Sequence, residues 1–309
     1  MKVVFAGYAP LDLAELRRRL PDADVVVAPD DLGEALADAD AVVCYRLTAD
    51  ETRRVRRLRL VQTGSAGADG VDRDALPDDA VLCNVRGHER SMAEWVLMAM
   101  LALPRQVLRF DRDLREGRWY RVGDERVDLG EPELEGKTIA LVGYGQIGRA
   151  VEQLVVALDA QTIPLSRRAR DGAWPLERLA EALKRADFAV ASLPGSAAGL
   201  IGERELDALG PTGYLVNVGR GQVVDEDALY TALRERRIAG AAIDVWYRYP
   251  TTEGETAMPS RHPFHELENV LMSPHVSGRS RRAARRRWEF IVAQLERLAR
   301  GEPLENVIG

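Results

Sequence analysis

The sequence predicts an α/β protein built on mostly parallel sheets with helices on both faces. Three observations carry that expectation. Short apolar runs of four or five residues alternate with longer helical patterns along most of the chain. One run is followed at once by Gly143-Tyr144-Gly145-Gln146-Ile147-Gly148, which then opens a helical pattern. The chain has 309 residues, 46% of them apolar and 30% charged, which suits one large domain or two medium ones, not a disordered chain.

In order, residues 3–6 read as a strand, 11–20 as a helix, 24–28 as a strand and 32–37 as a short helix. Residues 41–45, 60–63 and 81–84 read as further strands. Residues 91–117 read as one long helix, kinked at Pro104 because proline lacks the N–H and crowds the preceding turn. Residues 121–136 are polar, contain Pro132 and show no period, so they read as a loop. A second α/β unit then places strands at 138–142, 162–165, 188–192, 213–218 and 239–245. Residues 247–263 are rich in Pro, Thr and Gly and read as a functional loop. A helix over 281–300 closes the pattern.

Composition excludes several classes. Lys+Arg number 43 and Asp+Glu 49, a net charge of −6, which opposes a general drive toward nucleic acid or anionic membrane. The arginines at 279, 281, 282 and 285–287 lack interleaved aromatics and read as a solvated helix face. Cys44 and Cys83 have neither zinc-ligand spacing nor a disulfide pattern, so no metal site is expected. The apolar stretch 92–103 carries Glu94 and is too short to span a bilayer, and residues 1–7 are too short for a signal sequence. A reduced, cytoplasmic protein is the expectation.

The glycine motif has a physical reading. Gly143 permits the tight turn, Gly145 lets backbone approach a pyrophosphate, and Gly148 lets helix and strand pack closely. Gln146 and Ile147 begin the helix whose N–H groups would face the anion. NAD sites usually place an acid at the end of the next strand for the ribose 2′-hydroxyl. Here that segment ends in Ser166-Arg167-Arg168, which suits a 2′-phosphate, so NADP(H) is expected ahead of NAD(H). The competing reading of the two arginines is a solvated loop.

Five further segments follow in order: 63–72 (TGSAGADGVD), 92–95 (MAEW), 216–221 (VNVGRG), 241–246 (AAIDVW) and 273–278 (SPHVSG). With them the chain resembles the D-isomer-specific 2-hydroxyacid dehydrogenases, among them the glyoxylate/hydroxypyruvate reductases, over nearly its whole length. The resemblance implies two doubly wound domains with a cleft between them. A flavodoxin-like substrate domain would comprise 1–95 plus 281–309, and a Rossmann cofactor domain 96–280. It implies an oxidoreductase that interconverts a small 2-oxo acid and its D-2-hydroxy acid by hydride transfer, working as a homodimer. Arg220 would grip the carboxylate and carbonyl of the small anionic substrate. His275 would donate the proton, and the backbone of Ser65, Ala66 and Gly67 would cradle the carboxylate. Leu193, Pro194, Val218, Asp244 and Gly278 would complete the cofactor-binding set. The chemistry agrees, because charge develops on the carbonyl oxygen where a cation and a proton donor must converge.

Two positions depart from the family pattern. The glutamate expected five residues after Asp244 is Tyr249, a phenol that supplies no charge at neutral pH. His275 is therefore expected to titrate lower than a carboxylate-backed histidine, unless Glu253 or Glu255 swings in to replace the missing acid. His88 stands where a small or amide residue is common, and reads either as a second titratable group in the cleft or as part of a helix start capped by Ser91 with Glu94. Arg279 is a candidate contact for a second anionic group. Trp246, Tyr247 and Tyr249 would either shape the cleft or pack internally. The competing functions are a dinucleotide-binding regulatory protein and a dehydrogenase for an unusual small anion.

Overall fold

Runs rich in Val, Ile, Leu and Ala form two separate parallel sheets, each buried on both faces, as parallel sheets require. The computed structural model describes all residues except 29–32, 122, 128, 168–171, 253 and 309. The chain divides into two compact units, Met1–His88 with Arg279–Gly309, and Glu89–Gly278. The boundary expected at 95/96 falls inside a helix of the second unit.

In the first unit the order is β1 (Lys2–Ala6), α1 (Leu13–Arg19), β2 (Asp24–Ala28), α2 (Gly33–Ala37), β3 (Ala41–Cys44), α3 (Ala49–Thr52), β4 (Leu60–Thr63) and β5 (Val81–Cys83). The strands lie β2-β1-β3-β4-β5, all parallel. Alternation of side chains divides the core. Val3, Phe5, Ala41, Val43 and Leu60 face Trp288, Ile291, Val292 and Leu295 of the C-terminal helix (Arg281–Arg300). Val4, Ala6, Val42 and Val61 face Leu36, Leu47 and Val55 on the other side. Asp12 caps α1 by accepting from the Glu15 N–H, and Thr48 with Glu51 forms a capping box on α3. Part of the arginine cluster is absorbed here: Arg285 pairs with Glu15 and Glu289, and Arg286 donates to the Gly87 carbonyl at 2.8 Å.

The second unit begins with α4 (Glu89–Ala102) and α5 (Val107–Arg115). The expectation of one kinked helix over 91–117 is corrected to two helices. Pro104 cannot donate to the residue four before it, and Gln106 adopts a left-handed backbone at φ 49°, so the path breaks outright. The expected cap is also corrected. The helix starts at Glu89, so Ser91 is inside it and donates to the Ser277 carbonyl at 2.9 Å, while Glu94 pairs with Arg90.

Then follow β6 (Thr138–Val142), α6 (Gln146–Val156), β7 (Gln161–Ser166), β8 (Trp174–Pro175), α7 (Leu179–Leu183), β9 (Phe188–Ala191), α8 (Glu203–Leu209), β10 (Tyr214–Asn217), α9 (Glu226–Arg234), β11 (Gly240–Ile243) and β12 (Val270–Met272). The strands lie β12-β11-β10-β9-β6-β7-β8, all parallel. The order reverses between β6 and β9, which opens a crevice at the carboxyl ends of those strands. The two-residue β8 and three-residue β12 are too short to show a period. Among the described residues, no helix is long and apolar enough to cross a membrane, and no group of three or more His, Cys, Asp or Glu side chains could hold a metal ion.

Candidate functional site

The glycine turn sits at the carboxyl end of β6, beside the strand-order reversal. Gly143 has φ +108°, and a Cβ there would press on Ser192 and Leu193 at 3.1 Å. A Cβ on Gly148 would stand 2.5 Å from the Gly143 carbonyl oxygen, so only glycine lets α6 pack on the turn. Around Gly145 a Cβ would meet nothing within 4 Å. The turn therefore has one open position, flanked by two closed ones, at the start of an 11-residue helix whose N-cap makes no side-chain hydrogen bond. This fits a dinucleotide pyrophosphate. The Ser192 hydroxyl donates to the Gly143 carbonyl at 2.9 Å and ties the two strand ends together. Ser166 is buried at the end of β7, and Arg167 beyond it is exposed. Arg168 lies outside the described residues.

Arg220 follows β10 on a turn built by Asn217. The buried Asn217 amide accepts from the Gly219 N–H at 3.1 Å and donates to the Arg220 carbonyl at 3.1 Å. Gly219 passes so close to Leu193 that a Cβ would come 2.5 Å from its carbonyl oxygen. Gly221 is packed as tightly on the Trp246 carbonyl. Half-buried Leu193, exposed Pro194 and buried Val218 are thus gathered beside the Arg220 turn. The role of Asn217 is not among the expectations from sequence, although it stands in the segment 216–221 (VNVGRG) that carries Arg220.

His275 is held by its loop. It has φ +58°, unusual for a residue with a Cβ, and the loop around it closes on Asp244. The Asp244 carboxylate, 0% exposed, accepts from the Val276 N–H at 2.8 Å, the Ser277 N–H at 2.9 Å and the Ser273 hydroxyl. Both oxygens are engaged by the loop that carries His275. His275 Nδ1 lies 3.1 Å from the Tyr249 hydroxyl, which also accepts the Trp246 N–H at 3.0 Å. Burial of its hydroxyl end pushes the Tyr249 phenol above its ordinary range, only partly countered by the Trp246 N–H and the nearby Arg220 guanidinium. The phenol therefore stays uncharged at neutral pH. Arg220, Tyr249, Asp244 and His275 share one electrostatic neighbourhood.

The residues around Tyr249 divide clearly. Trp246 is buried on Phe264 and donates to the Ser273 carbonyl at 2.8 Å; Tyr247 donates to the Val224 carbonyl at 3.0 Å. Both pack internally, while Tyr249 is 48% exposed. Glu255 does not replace the missing acid. Its carboxylate takes the Thr251 and Thr252 N–H groups, at 2.7 and 3.1 Å, and these bonds hold it below the usual carboxylate range. Glu253 lies outside the described residues.

In the first unit the loop after β4 has an asymmetric hydrogen-bond inventory. The Ser65 carbonyl accepts from the Thr63 hydroxyl at 2.8 Å and the Val85 N–H at 3.2 Å. The Ala66 carbonyl accepts from the Asn84 amide at 2.7 Å, and the Gly67 carbonyl from the Ser65 hydroxyl at 2.7 Å. The acceptors are consumed inside the unit. Among the described residues, the N–H groups of Ser65, Ala66 and Gly67 make no such bond, which leaves three donors for an anion. His88 is buried at 6% exposure, and Arg279 is exposed.

Residues 97–277 match the family model described as "D-isomer specific 2-hydroxyacid dehydrogenase, NAD binding domain". The glyoxylate reductase of Pyrococcus furiosus is 31% identical over 87% of this chain and 82% of its own length. The structure of an acyclic imino acid reductase with NADPH and D-Arg superposes with TM-score 0.84 over the full length of both chains; at 24% identity this is a likeness of fold. The NADPH-dependent glyoxylate/hydroxypyruvate reductase of Sinorhizobium meliloti superposes with TM-score 0.80 at 25% identity, over 100% of this chain and 97% of that one.

Proposed function

The chain belongs to the D-isomer specific 2-hydroxyacid dehydrogenase family, and from that premise we propose that it is an NADP(H)-dependent reductase of a small 2-oxo acid. It is an NAD(P)-dependent oxidoreductase that interconverts 2-oxo and 2-hydroxy acids; the choice of NADP(H), the substrate and the residue roles are our reading. The observation that carries the reading is the 3.1 Å pairing of His275 Nδ1 with the Tyr249 hydroxyl, next to Arg220.

In this reading the turn Gly143–Gly148 and Arg167 hold the dinucleotide, with Gln146, Ile147, Ser166, Leu193, Pro194, Val218 and Gly278 lining its site. Asp244 acts by holding the His275 loop. When bound, the reduced nicotinamide supplies a hydride to the carbonyl carbon. Arg220 pairs with the substrate carboxylate and the carbonyl oxygen, a bidentate task for which a planar guanidinium is suited. The free N–H groups of Ser65, Ala66 and Gly67 bind the carboxylate. His275 delivers its Nε2 proton to the carbonyl oxygen as negative charge develops there. Its Nδ1–H donates to the Tyr249 oxygen before and after that transfer. Because a phenol carries no charge at neutral pH, Tyr249 gives the imidazolium less support than a glutamate at this position would.

The test follows NADPH oxidation by the purified protein with glyoxylate, hydroxypyruvate and phenylpyruvate, and NADH in parallel. Turnover with NADPH preferred is expected. Binding of NADPH without turnover of any 2-oxo acid would overturn the reading in favour of a binding role.

A further inference from the structure

The loop that carries Tyr249 is closed at its base and pinned to the helix that follows the Arg220 turn. Tyr249 is half exposed, so packing alone does not fix its ring; its hydroxyl is placed by the Trp246 N–H and lies beside His275. The chain leaves for this loop at Tyr247 and returns at Pro259, whose carbonyl accepts from the Tyr247 N–H at 3.2 Å and the Arg248 N–H at 3.0 Å. Ser260, next in sequence and 4% exposed, donates its hydroxyl to Glu226 Oε1 at 2.7 Å. The Arg261 N–H donates to the same oxygen at 2.9 Å, and the Arg261 guanidinium lies 3.3 Å from Glu226 Oε2. Glu226 opens α9, just beyond the Arg220 turn, where Asp225 caps the helix by accepting from the Ala228 N–H at 2.8 Å. An acid in the first turn of a helix is ordinarily solvated and serves the helix dipole. This one is 15% exposed and turns both oxygens to the returning loop. The neighbouring contacts of Asp227 with Arg261 and His262 are exposed and hold the loop less firmly.

We propose that Glu226 is a positioning residue for the reduction. It holds Ser260 and Arg261, these hold Pro259, the Pro259 carbonyl holds Tyr247 and Arg248, and the Tyr249 hydroxyl is thereby kept against His275 Nδ1. The inference rests on the reading of Tyr249 as the group that orients the proton donor. Without Glu226 the Ser260 hydroxyl and the Arg261 N–H lose their common acceptor, and the base of the loop is free to shift. A shift of about 1 Å at Tyr249 turns the imidazole away from the carbonyl oxygen, and a misplacement of that size costs up to about a hundredfold in rate. The glycine turn after β6 shares none of these bonds, so the effect falls on kcat and not on NADPH affinity.

The experiment makes Glu226→Ala and Glu226→Gln, each alone and together with Tyr249→Phe, and measures reduction of the 2-oxo acid that the wild-type protein turns over. Glu226→Ala should lower kcat about tenfold with the NADPH dissociation constant unchanged. Glu226→Gln keeps an oxygen for the Ser260 and Arg261 donors and should lose only about threefold. Added to Tyr249→Phe, Glu226→Ala should cost less than about twofold more, because the hydroxyl it positions is already gone. A tenfold loss that persists in that double variant, or a wild-type kcat in Glu226→Ala, would overturn the inference. A Tyr249→Phe protein as active as the wild type would remove the reading it rests on, and the inference with it. Should Glu226→Ala not fold, Ser260→Ala breaks the same contact by one hydroxyl and should follow the same pattern. If no 2-oxo acid turns over, the reductase reading fails instead, and tryptic cleavage after the exposed Arg248, followed by mass spectrometry, decides the clamp. Cleavage about tenfold faster in Glu226→Ala supports it, and an unchanged rate overturns it.

Discussion

The turn after β6 and the loop after β4, the two proposed anion sites, leave backbone N–H groups open by different means. After β6 the geometry is local. Three glycines within six residues make the bend, the opening and the close packing, and the helix that follows supplies the donors. After β4 no helix follows. Instead Thr63, Ser65, Val85 and Asn84 occupy the loop's carbonyls and so turn its N–H groups outward. A site written in one short motif tolerates no change within it. A site assembled from strand neighbours 18 residues apart should loosen in steps.

The sharpest break between the two is expected at Gly148→Ala. The added methyl would sit 2.5 Å from the buried Gly143 carbonyl oxygen, a backbone clash that cannot relax cheaply. NADPH affinity should fall about a hundredfold, read by fluorescence titration, with the fold destabilised by about 2 kcal/mol in denaturant melts. Asn84→Ala should act on the other site alone. Releasing the Ala66 carbonyl lets the loop rotate, so KM for the 2-oxo acid should rise about tenfold with the NADPH dissociation constant unchanged. A parallel change in NADPH affinity would show that the two sites are not separable in this way. The smallest effect is expected from Arg167→Ala. If this exposed side chain pairs with the 2′-phosphate, NADPH affinity should drop roughly fivefold and NADH affinity should hold. Equal losses for both would return Arg167 to the solvated-loop reading.

The same contrast explains what could be read from the sequence. The strand β6, its glycine turn and the helix after it followed from an apolar run and one glycine pattern, because each feature lies within a few residues. The break between α4 and α5 was seen only as a kink, since Pro104 is visible in sequence but the left-handed Gln106 is not. Ser91 resembled a cap until the helix proved to start at Glu89. Thr63 and Asn84 carried no signal, because their roles depend on β4 and β5 lying side by side. Asn217 did carry one: an amide placed before a glycine turn can bond its own backbone, and here it sets Arg220. The burial of both Asp244 oxygens in the His275 loop could not be inferred from spacing, since the partners lie 29 to 33 residues away.

The central claim is that the group at position 249, beside the proposed proton donor, is a phenol where the family pattern has a carboxylate. It is tested most directly by the pH dependence of kcat/KM for 2-oxo acid reduction in the wild-type protein and in Tyr249→Glu. With His275 as the proposed proton donor, reduction needs its protonated form, so activity should fall as pH rises through the pKa of that histidine. A carboxylate at 249 would stabilise the imidazolium and move that fall to higher pH by about one unit or more, while the uncharged Tyr249 cannot. The account predicts a wild-type profile already declining by about pH 8 and a Tyr249→Glu profile displaced upward. A wild-type profile flat well beyond that pH, or two coincident profiles, would contradict it.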